Sequence, residues 1–298
     1  MEEQARQFEI REWYSSYRPY LAAVAYRMLG SFTESEDVVQ DVFIRLHDLS
    51  LRHIREPKSY LTKMTVTRCI DILRSARKQR EIYVGPWLPE PDVRPPQSDN
   101  GERMIIEETI SYALLVVLEK LTPGERAVFL LYETLDYSYE EVANMLDKTM
   151  AACRKTMSRV RRKLQGHIPE STVADDPRGS ELTMRFLRAA QSGEVEHLLA
   201  WLADDAVCWS DGGGVVHAAI KPLVGADRVA AFLQGLARKV DGEHVQLVPL
   251  LVNGELGVGV MEYEVWTTVI AIEWREDQVQ NVFMVRNPHK LKHIDHNL

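Results

Sequence analysis

Cysteine is scarce in this chain. Only Cys69, Cys153 and Cys208 occur among 298 residues, too few and too scattered to pair completely, so a disulfide framework is excluded and a reducing compartment is expected. None lies in a CxxC pair or beside a histidine at ligand spacing, and neither a metal site nor a cofactor is expected. Long apolar runs are missing too. Stretches such as Ala113 to Leu118 and Thr268 to Ile272 are cut short by charge, well under the ~20 residues that a spanning helix needs. The opening Met1-Glu2-Glu3-Gln4 is acidic and has no apolar signal core. The expectation is a cytoplasmic protein with no membrane association.

Positive charge is also in deficit. A net charge of −8, from 36 Lys and Arg against 44 Asp and Glu, argues against a nucleic-acid binder until its distribution is considered. From Ser180 onward there are 10 basic and 16 acidic residues, net −6, while the preceding part carries −2 and gathers its positive charge into two short stretches. A hydrophobic share of 45% and a charged share of 27% are those of a folded chain. The length suits two or three compact units.

Residues from about Ile10 to Glu81 read as helical throughout. Trp13, Tyr17, Tyr20, Leu21, Val24 and Met28 recur at helical spacing, and Gly30 suits the position after a helix end. Thr33 followed by Glu36 predicts a capping box, with a second helix starting near Glu34 and turning Val38, Val39, Val42, Phe43 and Leu46 inward. A third helix begins near Pro57. Five prolines between Gly85 and Gly101 then block helix and ladder alike and predict a stiff, extended linker. A second helical unit follows, with Pro123 opening one helix and Ser138 with Glu141 capping another. The break at Asp147-Lys148-Thr149, between two helical patterns, predicts a helix-turn-helix. Around Gly166 to Gly179 the chain turns polar again. Beyond it, helices near Glu181 to Ser192, Val195 to Leu202 and Gly225 to Lys239 accompany strands at Ala206 to Ser210, Val245 to Val252, Gly257 to Thr268, Val269 to Arg275 and Val279 to Arg286. Helices followed by mostly antiparallel strands predict an α+β domain.

Lys148 to Leu164 holds seven basic residues and no acidic one. On the second helix of a helix-turn-helix, such a face meets phosphates and base edges in the major groove. Arg154, Lys155, Ser158 and Arg159 are the candidates for groove contact, with Lys148, Thr149 and Arg162 beside them for phosphate. A second cluster, Arg74, Arg77, Lys78 and Arg80, closes the third helix, where cations are expected for dipole reasons alone. Preceded by Tyr60, Lys63 and Arg68, it could track DNA through stacking and charge. Between them the second helix shows Glu36, Asp37, Gln40, Asp41 and Asp48 against the lone cation Arg45. That surface repels phosphate and suits a protein partner or plain solvent.

Asp37-Val38-Val39-Gln40-Asp41-Val42-Phe43-Ile44-Arg45-Leu46 resembles the polymerase-binding helix of sigma region two in extracytoplasmic-function sigma factors. Pro57 to Leu61 and Cys69 to Arg74 resemble the next helix, which in that family melts and reads the minus-ten promoter element. Leu121-Thr122-Pro123-Gly124-Glu125-Arg126, Tyr139 to Ala143 and Arg159 to Leu164 are similar to sigma region four, which reads the minus-thirty-five element. Trp87-Leu88-Pro89-Glu90-Pro91, Asp211-Gly212-Gly213-Gly214 and Asn287-Pro288 with Lys290-Leu291 are similar to the corresponding motifs of SigJ-like sigma factors with a SnoaL-like extension. Val215 stands where that family has Lys, and His289 where it has Asp.

The resemblance implies a partition into sigma region two (8–84), a Pro-rich linker (85–103), sigma region four (104–166), a second linker (167–179) and a SnoaL-like domain (180–298). Two all-α domains would precede an α+β cone with a curved antiparallel sheet. It implies docking of Asp37, Gln40, Asp41 and Arg45 on the β′ clamp of core RNA polymerase, a contact to the β flap, and promoter DNA as the template. The loop from Leu51 to Lys58 would receive an extruded base, whose unstacking costs a few kcal/mol. The three motif segments would form a regulatory interface that replaces a separate anti-sigma protein.

Asp211, His217, Glu262 and Glu264 could supply an acid–base pair in the cone, and a small ligand could bind there. Scattered carboxylates on strands ordinarily face solvent, so no catalytic residue is assigned. The other readings are a one-component helix-turn-helix regulator with a ligand-binding domain and a SnoaL-like enzyme tethered to DNA.

Overall fold

The computed structural model describes residues 2–80, 83–96, 110–165, 181–186, 195–238 and 244–294, apart from the side chains of residues 2, 3, 5, 52, 76–80, 195 and 197. The chain divides into two compact units. The first comprises Met1–Glu81, Gly101–Glu107 and Val117–Ile168; the second comprises Ile82–Asn100, Glu108–Val116 and Pro169–Leu298.

In the first unit, helix ends fall where backbone chemistry demands them. Helix α1 (Glu2–Leu29) stops at Gly30, whose φ of 70° is left-handed and whose N–H closes on the Tyr26 carbonyl at 2.7 Å. Helix α2 (Phe32–Leu46) is capped by Ser31, which accepts from the Glu34 N–H. The sequence pointed instead to Thr33 and Glu36. The extended backbone of Ser31 aims its hydroxyl at the first turn, and the helix starts two residues earlier. Val38, Val39, Val42, Phe43 and Leu46 are buried as expected.

Helix α3 (Pro57–Arg80) begins at its proline. Helix α4 (Tyr112–Leu118) is followed by α5 (Pro123–Phe129) and α6 (Tyr139–Met145), both opened by complete capping boxes, Thr122–Glu125 and Ser138–Glu141. Each Ser or Thr cap contributes about 1 kcal/mol by satisfying an orphan N–H. Asp147, at a φ of 51°, reverses the chain before Thr149 caps α7 (Met150–Leu164). Cys153, Met157, Val160 and Leu164 form the inward stripe of α7.

The second unit is built on a seven-stranded open sheet in the order β1-β4-β5-β6-β7-β2-β3. Its strands are β1 (Val93–Arg94), β2 (Leu202–Asp211), β3 (Leu223–Val224), β4 (Val245–Val252), β5 (Glu255–Glu262), β6 (Val265–Arg275) and β7 (Gln278–Val285). The sheet is mixed rather than wholly antiparallel, because β2 and β7 run parallel. The two are joined only by a long connection that includes another helix, as a parallel pair requires. The hairpin between β5 and β6 turns at Tyr263 and Glu264, whose φ values of 50° and 62° have the sign a tight type I′ turn needs. No Asn or Gly marks that turn, so the sequence put the strand break at Thr268 instead.

The Pro-rich segment contributes β1, with Val93 opposite Val252 and Arg94 opposite Leu251. It occupies the sheet edge, where a flanking proline removes no interior ladder bond. One face of the sheet carries helices α8 (Val195–Trp201) and α9 (Ala226–Ala237) over Leu198, Leu202, Cys208, Val229 and Val282. The other face is covered by Leu88, Tyr112, Val116, Leu291 and Ile294, which pack on Trp266, Val269, Phe283 and Val285. Leu291 belongs to a last helical turn, α10 (Pro288–Leu291). Two chain segments that precede the helix-turn-helix thus form part of the core of the sheet unit.

Candidate functional site

Burial of one stripe of α2 leaves Asp37, Gln40 and Arg45 exposed on the other, with Asp41 half-buried. Ile44 stands among them at 63% exposure. It adds one apolar side chain to an otherwise polar face. The sequence reading passed over Ile44 because its spacing alone does not separate it from the core stripe. Asp41 is engaged within the fold: both Nε and Nη2 of Arg68 donate to its Oδ2, at 2.9 and 2.8 Å.

Helix α7 sorts its residues sharply. Lys148, Thr149, Arg154, Lys155, Ser158, Arg159 and Arg162 are all exposed. Thr149 additionally accepts from the Ala152 N–H at 3.2 Å, and Arg154 lies over the Tyr139 ring at 5.5 Å. The two remaining cations are tied inside the unit, Arg161 to Glu133 at 3.2 Å and Lys163 to Glu125 at 2.7 Å. Glu125 is half the capping box of α5. Although burial opposes it, the hydrogen bonds from Lys163 and Thr122 hold its carboxyl below the usual range.

Helix α3 spends its charge differently. Tyr60 is half-buried and shares a cavity of about 200 Å³ with Asp41, Arg45, Lys63 and Arg68. Lys63 donates to Asp147 Oδ1 at 2.9 Å and to the Asn144 carbonyl at 3.1 Å. Arg74 is exposed and 3.8 Å from Asp71. Arg77, Lys78 and Arg80 fall in the last turn, where side chains lie outside the described residues. A second cavity, about 270 Å³, is lined by His53, Ile54, Arg55, Glu56 and Tyr60 together with Glu141, Asn144 and Met145. One wall of the expected base-receiving loop is therefore the helix-turn-helix itself.

Further contacts hold these helices to one another. Arg126 is buried and donates to the Met28 carbonyl at 2.7 Å, to the Leu118 carbonyl at 2.8 and 3.1 Å, and to Glu119. The Tyr20 and Tyr137 hydroxyls lie 3.2 Å apart, and burial pushes the Tyr20 phenol well above its ordinary pKa. Neither Arg126 nor Tyr137 stood out in sequence, because a buried Arg in a capping motif looks like a solvated one.

In the second unit the three motif segments converge on one carboxylate. Asp211 is wholly buried. Its Oδ1 accepts from the Tyr83 hydroxyl at 2.7 Å and the Gly213 N–H at 3.0 Å, and its Oδ2 accepts from the Leu88 N–H at 2.9 Å and Lys290 Nζ at 2.7 Å. Lys290 also donates to the Leu88 carbonyl and sits 4.0 Å over the Trp87 ring. Asn287 donates to the Tyr83 hydroxyl at 2.9 Å and accepts from the His289 N–H. The carbonyl of Pro89 accepts from Tyr112, that of Pro91 lies 2.8 Å from the His293 ring, and Glu90 is half-buried between them.

The glycines are dictated by space. A Cβ on Gly212 would strike Val216 and Ala218, one on Gly213 would strike Asn287, and Gly214 holds a φ of 73° against Val84. Burial and Asp211 together push the Tyr83 phenol far above its usual pKa. Tyr83 was missed because it lies outside the motif it serves. Val215 and His289, the two departures, are both exposed.

Asp211 is thus saturated by donors. His217 is exposed, Glu262 accepts from Thr267, and Glu264 stands at an exposed hairpin turn. Elsewhere on the sheet, burial and then the charge of Glu273 push the Glu255 carboxyl up to about 7.

Comparison with known proteins follows the same division. Residues 13–79 match the model of Sigma-70 region 2, and residues 111–164 that of Sigma-70, region 4. The chain is 31% identical over 286 residues to the ECF RNA polymerase sigma factor SigJ of Mycobacterium tuberculosis, covering 93% of this chain and 91% of that one. It is 31% identical over 220 residues to the probable ECF RNA polymerase sigma factor SigI of the same species, 72% of each. The crystal structure of M. tuberculosis SigJ superposes with a TM-score of 0.76 at 29% identity, over 93% of this chain and 96% of that one.

Proposed function

We propose, from the premise that this chain belongs to the extracytoplasmic-function RNA polymerase sigma factors of the SigJ type, a division of labour among its surfaces. The exposed face of α2, with Asp37, Gln40, Arg45 and Ile44, docks on the β′ clamp of core polymerase, and Asp41 joins it once released from Arg68. Helix α7 enters the major groove of the minus-thirty-five element with Arg154, Lys155, Ser158 and Arg159, while Lys148, Thr149 and Arg162 hold phosphate. Tyr60, Lys63, Arg68, Arg74, Arg77 and Lys78 serve the minus-ten element, and region four also meets the β flap. The observation that carries this reading is charge segregation: α7 exposes six cations with no acidic residue, and α2 exposes the acidic face.

This form is a closed one. The two promoter elements are centred about 25 base pairs apart, roughly 85 Å at 3.4 Å per pair, whereas here Lys63 of α3 is bonded directly to Asp147 of the helix-turn-helix. Regions two and four must part before both can read one promoter. Polymerase binding supplies the driving force.

The C-terminal domain modulates that opening. Segment 83–91 precedes region four in the chain and segment 110–116 lies at its start, and both are built into the sheet unit through Asp211, Lys290 and Tyr112. A fused domain that holds these segments takes the place of a separate anti-sigma protein, and the protein works in the cytoplasm. The domain acts without catalysis, since Asp211 is fully used in structural bonds. Run-off transcription with core polymerase tests the reading. The full-length chain initiates at its promoter, a truncation ending at Arg178 initiates at a different rate, and identical rates would refute the regulatory role.

A further inference from the structure

The helix-covered face of the sheet is filled by Phe186, Leu198, Leu202, Val229 and Leu233. A cavity of about 560 Å³ lies elsewhere, beside the loop that follows β2. Its volume falls within the roughly 300–1,000 Å³ of small-molecule sites. Four side chains and one orphan hydroxyl define its chemistry. Ser210 is fully buried and lines the cavity, and its Oγ has no hydrogen-bond partner among the described residues. A buried hydroxyl without a partner is costly, so an occupant that bonds to it is favoured.

Arg286 also lines the cavity and donates through Nη1 to the His217 carbonyl, leaving the rest of its guanidinium fork for a ligand. Among the described residues no carboxylate lines the cavity. The adjacent Asp211 turns both oxygens toward Tyr83, Leu88, Gly213 and Lys290. The local field is therefore cationic. The remaining wall is apolar and unusually open: Val84, Val215 and Ile220 are 55%, 60% and 70% exposed. Exposed apolar side chains around a cavity with one cationic fork describe an amphipathic anion, head inward and tail along the rim. The loop is shaped in advance, since Gly212 and Gly214 sit where no Cβ fits without displacing neighbours, and a preformed site loses little entropy on binding.

We propose that this cavity binds a small organic carboxylate with an apolar tail, its head bridging Arg286 and Ser210. The binding claim is independent of the sigma-factor reading. Only its consequence rests on that reading: Val84 and Gly85 line the cavity and lead into Trp87–Pro91, so an occupant touches the held segment.

Isothermal titration of the full-length chain tests binding without polymerase, with octanoate as the probe and octan-1-ol as its uncharged counterpart. Octanoate binds one per chain, and octan-1-ol binds at least roughly ten-fold more weakly because the charge-assisted fork is lost. Arg286→Met reduces octanoate affinity by a similar factor, and Ser210→Ala reduces it several-fold. Val215→Asp, at an exposed rim position, repels the carboxylate while leaving the thermal midpoint unchanged, which separates loss of binding from loss of fold. Absence of octanoate binding at millimolar concentration would overturn the proposal. So would equal affinity for octan-1-ol, or binding that survives both Arg286→Met and Val215→Asp.

Discussion

Lys290 and Asp211 meet at 2.7 Å within the second unit, with side-chain exposures of 8% and 0%, whereas Lys63 and Asp147 meet at 2.9 Å in the first, with 38% and 82%. Near-identical geometry in different surroundings gives opposite roles. The buried pair has no water to fall back on: each partner, once alone, is a charge in low dielectric. Around it, Tyr83, Leu88 and Gly213 complete the hydrogen bonding, so the pair is a permanent rivet. The exposed pair is solvated on both sides and screened by salt, contributing little on its own. In the proposed reading a phosphate backbone competes for Lys63, and the pair acts as a latch. The same contrast separates the helices of the first unit, since α7 exposes Arg154, Lys155, Arg159 and Arg162 while α3 pairs Lys63 and Arg68 with carboxylates.

The largest effect is expected at the rivet. Lys290→Met strands the Asp211 carboxylate and should cost ~3–5 kcal/mol of stability in urea unfolding, and adding Asp211→Asn to that variant should recover much of the loss. If Lys290→Met costs no more than a change at the latch, the contrast is broken. Next in size are the outward cations of α7. Arg154→Ala or Arg159→Ala should each weaken promoter binding by ~1–3 kcal/mol and relax sequence preference, whereas Arg162→Ala should weaken binding uniformly and lower the salt slope by about one. Fluorescence anisotropy over a salt series reads both quantities. The smallest effect is at the latch itself: Asp147→Asn should change stability by no more than ~1 kcal/mol while raising promoter affinity modestly, because Lys63 is released and the docked regions part more easily.

Much of the helical unit was legible in sequence because its signals are local. Ser138 with Glu141, Pro57, Pro123 and the apolar stripe Cys153–Met157–Val160–Leu164 each fix an element within one or two turns. The outward residues of α7 follow from that stripe alone. What escaped is backbone geometry and long-range contact. Ser31 displaced Thr33 as the cap of α2 through a backbone angle that composition does not reveal. Tyr263 and Glu264 adopt left-handed angles without a residue type that favours them. The parallel pairing of β2 with β7 depends on the whole intervening chain. At the candidate site, the motif residues Trp87–Pro91, Asp211–Gly214, Asn287 and Lys290 could be named from resemblance, but the bonds joining them span more than 70 residues. The contacts of Tyr83, Arg126 and Asp147 could not be found, since they are made with partners distant in sequence.

The central claim is that the carboxylate-edged face of α2 engages core RNA polymerase, and equilibrium binding of the fluorescently labelled full-length chain to core enzyme free of any sigma subunit tests it most directly. The account predicts saturable binding that Asp37→Lys with Gln40→Lys weakens by at least roughly ten-fold, with the circular dichroism spectrum unchanged. Absence of binding, or affinity indifferent to both substitutions, would contradict it.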